Sequence, residues 1–317
     1  MWLKRFFASL TLGIIVLPAA AELPKELNFG IISTESTQNL KNSWQPLLAD
    51  MEKAVGIKIN AFFAPDYAGV IEAMRFNKVQ LAWYGNKSAM EAVDRANAEI
   101  FVRVIYTDGT MGYYSYLGVP AGSPIKSLED MLKGSKSIVF GIGDPNSTSG
   151  FLVPSYYIFA QNQVDPKTAF KTIRSANHET NIMAVATKQV DAAVFASETW
   201  DRVLARRPEI ASQVQVVWKS PLIPSDPMLW RKDVDAEAKS RLKAFFVAYG
   251  KSDAREKQIL KELGYSAFVE SSNEQLRPIR QLEVFRERMK VAADERMSAQ
   301  EKQQKLSELD QKLAQLK

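Results

Sequence analysis

The sequence contains no cysteine and a single histidine, His178, among its 317 residues. Disulfides are therefore excluded, and zinc or similar sites are not expected, since they depend on Cys and His ligands. A metal site built only from oxygen ligands stays open in principle, although no D-x-D-x-D-G calcium loop is present. We therefore predict a protein without a metal or another cofactor.

Long apolar runs and blocks of one charge sign are also missing beyond the amino terminus. No stretch after residue 21 approaches the roughly 18 apolar residues of a membrane-spanning helix. The 41 basic and 36 acidic residues are well mixed, without a basic cluster that could follow a nucleic-acid backbone. We therefore expect a soluble mature chain that does not bind nucleic acid.

The first 21 residues have the three parts of a secretory signal peptide. Lys4 and Arg5 supply positive charge, a twelve-residue apolar run covers 6–17, and the alanines at 19–21 form an A-x-A cleavage pattern. Removing the two basic residues from 41 leaves 39 in a mature chain of 296 residues, 22–317, which is long enough for two lobes. No cysteine for a lipid anchor lies near the cleavage pattern, so export to the periplasm is expected.

Strand-like and helix-like segments alternate along the first two thirds of the chain. Residues 27–32 (LNFGII) form an apolar strand pattern, and 40–55 place apolar residues at helical spacing. The same order recurs up to a strand pattern at 213–218. Repeated β-α-β order predicts parallel sheets covered by helices.

The carboxyl-terminal part is helical and becomes strongly polar after about residue 280. Four leucines near the end, Leu306, Leu309, Leu313 and Leu316, are spaced as in a coiled coil, but over fewer than two heptads. Two interpretations are open: a solvated, frayed tail, or a helix that packs on its own lobe or on a partner subunit in a homodimer.

The stretch GDPNSTSG (143–150) places three hydroxyl side chains where a helix is expected to begin. Ser147, Thr148 and Ser149 follow an Asp-Pro turn and precede an apolar, helix-compatible run. Such hydroxyls can cap the free amides of the helix, and the same amides can hold an anion. Taken alone, the stretch favours a capped helix.

Six stretches, in order between residues 27 and about 285, resemble those of periplasmic phosphonate-binding proteins of ABC-type uptake systems. They are FGIISTES, FFAPDYAG, MRFNKVQLAWYGN, GDPNSTSGFLVP, ANHETN and KSPLIPSDP. The resemblance implies a type II periplasmic binding protein, with two α/β lobes, two crossovers and a ligand cleft, and a membrane permease as partner. Ligands of such sheets bind beyond the carboxyl ends of the strands, where these stretches lie. We expect lobe one at 22–119 and 221–275, lobe two at 120–220 and a helical tail at 276–317.

The resemblance also implies which residues hold the phosphonate. Ser147, Thr148 and Ser149 would bind it with their hydroxyls, together with the first amides of the helix. His178 would donate a hydrogen bond to it, and a bound anion would favour the protonated ring. Tyr67 and Tyr113 would supply phenol donors.

Three further tyrosines lie in strand-like segments or at their ends. Tyr84 is a second-rank candidate for the cleft, whereas Tyr114 and Tyr116 are expected to pack in the core.

Two acidic residues, Glu198 and Asp226, have no use in holding an anion. The resemblance implies that they bind the ammonium group of 2-aminoethylphosphonate. Otherwise they are an exposed glutamate at a helix start and an aspartate in a turn. Phosphate would leave the buried carboxylates uncompensated, at a cost of roughly 2–5 kcal/mol.

Two rival functions remain. Ser147 or Ser149 with His178 and Asp226 make up the residue types of a hydrolase triad, but no G-x-S-x-G turn, Walker loop or metal-ligand pattern accompanies them. We therefore expect a binding protein and not an enzyme. The same fold could instead bind phosphate, phosphite or an alkylphosphonate.

Overall fold

A computed structural model describes residues 23–316, so the predicted signal peptide, 1–21, lies outside the described residues. Within the described range, no helix combines the length and apolar character needed to cross a bilayer.

Strands and α-helices alternate along most of the described chain and are numbered in chain order. The strands are β1 (Glu26–Ile31), β2 (Lys58–Phe63), β3 (Leu81–Trp83), β4 (Ala98–Tyr106), β5 (Gly112–Tyr113), β6 (Ser115–Pro120), β7 (Val139–Ile142), β8 (Thr172–Ser175), β9 (Ala192–Ala196), β10 (Val214–Lys219), β11 (Ile223–Pro224), β12 (Pro227–Arg231) and β13 (Tyr265–Glu270). The α-helices are α1 (Thr37–Val55), α2 (Tyr67–Arg75), α3 (Asn86–Arg95), α4 (Leu128–Lys133), α5 (Pro166–Ala169), α6 (His178–Ala186), α7 (Ser197–Arg206), α8 (Pro208–Ala211), α9 (Ala236–Ala248), α10 (Ala254–Leu263), α11 (Arg277–Ala293) and α12 (Ala299–Gln315).

Lobe one is built on a six-stranded mixed sheet in the order β13-β4-β12-β3-β1-β2. β1 runs parallel to β2 and β3, as the repeated β-α-β pattern predicts, while β12 and β13 join antiparallel to their neighbours. Helix α1 covers this sheet with the predicted apolar face, which includes Leu40, Trp44 and Leu48. Ser36 caps its first turn, and Gly56 ends it in the left-handed conformation, with φ of 69°.

Lobe two is built on a five-stranded mixed sheet in the order β10-β6-β9-β7-β8. Strands β9, β7 and β8 are parallel and come from successive β-α-β units. β6 pairs antiparallel with β9, and β10 pairs antiparallel with β6. Strand β6 lies on the other side of the boundary expected at residues 119 and 120. Its local sequence pattern indicates a strand but not the sheet that the strand joins. Its pairing with β9 and β10 places it in lobe two.

Two crossover segments, which lie side by side, join the lobes. β5 lies between β4 of lobe one and β6 of lobe two, and β11 lies between β10 of lobe two and β12 of lobe one. The two segments pair antiparallel, with Tyr113 opposite Ile223. A short ribbon therefore forms the connection between the sheets.

The carboxyl-terminal helices fold back onto the chain and pack against it. Arg280 of α11 makes a forked ion pair with Asp94 of α3, and Phe285 packs near Tyr156 of lobe two, with ring centroids 6.1 Å apart. α12 packs on α11, begins with a capping box and buries Leu313. Of the two interpretations of the tail, packing on its own chain fits these contacts, and the homodimer stays a prediction.

Candidate ligand-binding cleft

The cleft is formed by the loops that follow the carboxyl ends of the strands in both sheets. In lobe one these loops follow β1, β2 and β3, and in lobe two they follow β7, β8 and β9. Asp226 reaches the same edge because it immediately precedes β12, which runs antiparallel to β3. Parallel sheets place their ligands at this edge, because the helices that follow begin there.

The hydroxyl-rich stretch opens a continuous helical segment from Thr148 to Ala160, with π-helical turns over Thr148–Leu152 and Ser155–Ala160. Ser147 caps it by accepting the Gly150 amide N–H at 3.0 Å. The first amides of a helix have no acceptor within it and lie at the positive end of its dipole. Capping and anion binding are therefore compatible here, since one serine fills the cap and the following hydroxyls and amides can serve a ligand.

Two glycines allow the chain to fold this tightly at the base of the stretch. A Cβ on Gly143 would lie 2.6 Å from the Gly150 Cα, and a Cβ on Gly150 would lie 2.9 Å from His178 Cε1. Both distances are shorter than real contacts. The glycines therefore bring the start of the helical segment against His178.

His178 is 3% exposed at the first position of α6 and lies between two other candidates. Its Nε2 lies 3.3 Å from Ser147 Oγ and 3.4 Å from the Tyr67 hydroxyl. Its Nδ1 accepts the amide N–H of Ala196 at 3.2 Å, so the ring proton belongs on Nε2. Burial, with the charge of Arg202, lowers the pKa of His178 to about 3. The folded chain by itself therefore holds a neutral ring that donates through Nε2, and protonation of the ring by a bound anion stays a prediction.

We expect the protein to lose stability more steeply below pH 6.5 than a His178→Gln variant does. The pKa of His178 falls from 6.5 in the unfolded chain to about 3 on folding, so the unfolded chain binds this proton first. The contribution is fully present above pH 6.5 and is lost as the pH falls towards 3, by at most about 1.4 kcal/mol per pH unit. Urea unfolding from pH 7 to 4 measures both slopes, and equal slopes would contradict a buried neutral ring.

The two leading tyrosine candidates lie in the cleft, whereas the second-rank one does not. Tyr67 and Tyr113 are 2% and 4% exposed, and burial raises the pKa of both phenols well above the usual range, so both remain donors. Tyr84 donates to the Val70 carbonyl at 3.1 Å inside lobe one and is a core residue. Tyr114 and Tyr116 stack on each other with centroids 6.4 Å apart and are both partly buried. Tyr116 packs against the core of lobe two beside Phe195, as expected.

Glu198 and Asp226 are both buried, at 6% and 3% exposure, so Glu198 is not the exposed glutamate of the alternative interpretation. Glu198 Oε2 and Asp226 Oδ1 have no hydrogen-bond partner among residues 23–316. Burial raises the pKa of Glu198, and burial with the charge of Glu198 raises that of Asp226 well above its usual range. Buried carboxylate oxygens without a partner are suited to a cation.

Asp226 and the hydroxyl-rich stretch face each other across a glycine of lobe one. A Cβ on Gly85 would lie 3.3 Å from Thr148 Oγ1 and 3.9 Å from Asp226 Oδ1. Any side chain at Gly85 would therefore enter the space between them. All eight predicted site residues are buried, and they lie at the edge of the two sheets where the strands of both lobes end.

Sequence reasoning missed several residues of the cleft. Thr34, Trp83 and Tyr106 each have a buried polar side-chain atom without a hydrogen-bond partner in the described part of the chain. Thr34 and Glu35 belong to the Ser/Thr-rich loop after the first strand, and Trp83 ends β3. In the sequence, their positions at or just after the ends of strand patterns could have identified them as residues of the cleft.

Direct contacts join the lobes around the cleft. Lys87 N–H donates to Thr148 Oγ1 at 2.8 Å, and Tyr67 N–H donates to Asp144 Oδ2 at 3.2 Å. Glu35 of lobe one pairs with Arg202 of lobe two. These contacts describe a closed arrangement, because each depends on both lobes being together.

The nominal hydrolase set is not arranged as a triad. His178 Nδ1 accepts a backbone amide where a triad would place a carboxylate, and Asp226 neighbours Tyr113 and Glu198 instead. Residues 23–316 also contain no group of three or more His, Cys, Asp or Glu arranged to hold a metal. Two lobes joined by paired crossovers form the periplasmic binding protein fold.

A family model described as "ABC transporter, phosphonate, periplasmic substrate-binding protein" matches residues 29–276. The chain belongs to this family, so it binds phosphonates for ABC transport and is not an enzyme. The structure is similar to a crystal structure of a binding protein component of an ABC phosphonate transporter from Pseudomonas aeruginosa. That likeness has a TM-score of 0.90 and 53% identity, over 93% of this chain and 97% of that chain.

Two curated relatives differ in what their names say they bind. The phosphonates-binding periplasmic protein of Escherichia coli is 51% identical over 309 residues, covering 97% of this chain and 91% of that protein. A phosphate-import protein of Mycolicibacterium smegmatis is 30% identical over 238 residues, covering 72% of this chain and 73% of that protein.

Proposed function

We propose that this protein captures 2-aminoethylphosphonate in the periplasm and delivers it to the permease of an ABC transporter. The observation that carries the proposal is the pair of buried carboxylates with unpartnered oxygens, Glu198 Oε2 and Asp226 Oδ1. They lie in the same cleft as the hydroxyl and imidazole donors. A small zwitterion has the charges that match both ends.

The anionic end of the ligand is assigned to lobe two and two tyrosines. Ser147, Thr148 and Ser149 contribute hydroxyls at the start of a helical segment, where the helix dipole favours an anion. His178 Nε2 and the Tyr67 hydroxyl converge on Ser147 and add neutral donors. Tyr113 lies near both this end and Asp226, because the Thr148 hydroxyl and the charge of Asp226 both affect the pKa of its phenol.

The cationic end is assigned to Glu198 and Asp226. A buried carboxylate without a partner either takes up a proton or binds a cation, because burial disfavours its charge. An ammonium group two carbons from the phosphonate would supply that cation. Phosphate and alkylphosphonates lack it, so they would leave both acids uncompensated.

We expect calorimetric titration of a small ligand panel to rank 2-aminoethylphosphonate first. Phosphate and ethylphosphonate should bind at least about 100-fold more weakly, because each leaves two buried carboxylates unpaired and one such loss alone costs roughly 2–5 kcal/mol, about 30-fold or more. Phosphate is included because the relative from Mycolicibacterium smegmatis is named a phosphate-import protein. Equal affinity for ethylphosphonate would refute the ammonium role, and phosphate binding tightest would make phosphate the ligand.

A further inference from the structure

Arg202 is a cation beside the cleft that the sequence pattern did not single out. It lies on α7 one turn after Glu198, and its side chain is 10% exposed. Its Nε donates to Glu35 Oε1, and its Nη2 lies 3.9 Å from Glu198 Oε1. One guanidinium therefore contacts a carboxylate from each lobe.

Thr199 completes the link between Arg202 and Glu198. Arg202 Nη2 donates to Thr199 Oγ1 at 3.1 Å, and the Thr199 hydroxyl donates to Glu198 Oε1 at 3.3 Å. These contacts engage only one oxygen of the carboxylate, since Oε2 has no partner within residues 23–316. One oxygen of Glu198 is thus held by its own helix, and the other is left for a ligand.

Glu35 brings lobe one into the same group of charges. It lies in the loop between β1 and α1, is 6% exposed, and also lies 3.6 Å from Arg206 of α7. Arg202 and Glu35 are 167 residues apart in sequence and belong to different lobes. Their contact therefore depends on closure of the cleft.

We propose that Arg202 is a positioning residue that links closure of the lobes to recognition of the ligand's ammonium group. The inference rests on the proposed function, the binding of 2-aminoethylphosphonate. Closure brings Glu35 onto Arg202 and fixes the guanidinium. Through Thr199, the guanidinium then holds the Glu198 carboxylate with Oε2 available to the ammonium. Arg202 acts through Glu198 and needs no contact with the ligand.

The charge of Arg202 supports the same role. It opposes the effect of burial on the pKa of Glu198 and so favours the ionised carboxylate. The other titratable groups facing Glu198 are two acids and four phenols, with the neutral His178 on the adjoining helix α6. These acids and phenols are Glu35, Asp226, Tyr67, Tyr106, Tyr113 and Tyr265. None of these six groups supplies positive charge, whereas Arg202 does.

Titration of 2-aminoethylphosphonate and ethylphosphonate into the parent, Glu35→Gln and Glu35→Gln/Arg202→Met proteins tests the proposal. Glu35→Gln should weaken both ligands, because it removes the pair between the lobes. Adding Arg202→Met should then weaken 2-aminoethylphosphonate by about tenfold or more and ethylphosphonate by less than about threefold. The double variant avoids leaving Glu35 as an unpaired buried charge.

The pH dependence separates positioning from packing. The extra loss for 2-aminoethylphosphonate should shrink as the pH rises from 6 to 9, because Glu198 regains its charge without Arg202. Arg202→Lys keeps the charge but not the planar fork, so it should weaken 2-aminoethylphosphonate more than ethylphosphonate without this recovery. If a thermal unfolding control shows that the double variant does not fold, Arg202→Lys tests the proposal in its place.

Failure of the proposed ligand and failure of the proposed role of Arg202 would give different results. If the parent shows no preference for 2-aminoethylphosphonate, the proposed ligand fails and this inference fails with it. If the parent shows the preference and the Arg202 variants lose both ligands equally, or keep the preference, only the role of Arg202 is overturned.

Discussion

Asp226→Asn is expected to lower the affinity for 2-aminoethylphosphonate by about 30-fold or more while leaving or improving that for ethylphosphonate. Removing one partner of a buried charge pair costs roughly 2–5 kcal/mol, and the low end of this range is about 30-fold. Asp226 is 3% exposed, and its Oδ1 has no partner in the described chain. An ethyl group offers it no cation, so for ethylphosphonate a neutral amide removes an uncompensated charge.

Calorimetric titration of both ligands into the parent and the variant gives the ratio of their dissociation constants. Glu198→Gln should move this ratio in the same direction but by less, because Arg202 already interacts with Glu198. Glu209→Gln, at an exposed glutamate of lobe two, is the matched control and should change neither affinity. A similar loss of both ligands in Asp226→Asn would mean that this carboxylate supports the cleft and does not recognise the ammonium.

The sequence predicted most of the strands and helices because each has a local apolar period. It could not assign strand β6 to its lobe, since a strand pattern does not state which sheet the strand will join. The apolar run after Ser149 predicted a helix, but not that it begins at Thr148 or contains π-helical turns. The leucine spacing of the tail indicated a helix, but it did not indicate the surface on which α12 packs.

Six of the eight site residues lie within the quoted short stretches, whereas Tyr113 and Glu198 lie outside them and were implied by the resemblance as a whole. Glu35 and Arg202 were missed because they meet only through closure of the two lobes. The protonation state of His178 also could not be predicted from the sequence. Its neutral ring follows from burial and from the Ala196 amide bonded to Nδ1, and both depend on the folded chain.

Thr148→Val is expected to weaken every phosphonate by a similar factor, about 10- to 100-fold, whatever group the ligand has at its other end. Valine keeps the shape of the side chain and removes the hydroxyl, and hydrogen bonds to a charged group are worth about 1.5–3 kcal/mol. The same change leaves the Lys87 amide without its acceptor at 2.8 Å across the cleft, which disfavours closure around any ligand. Both effects act on the anionic end and on the lobes, so the preference for the amino group should survive.

The same two titrations measure this prediction, with Thr148→Ser expected to recover most of the affinity and Thr168→Val, at an exposed position on α5, expected to change nothing. Thr148→Val should therefore change the level of both affinities, whereas Asp226→Asn should change their ratio. If Thr148→Val instead reduced only 2-aminoethylphosphonate binding, the assignment of the two ends would be wrong. The opposite responses of the two variants would place the anion at the helix start and the cation at the carboxylates, because no shared loss of folding changes one ligand alone.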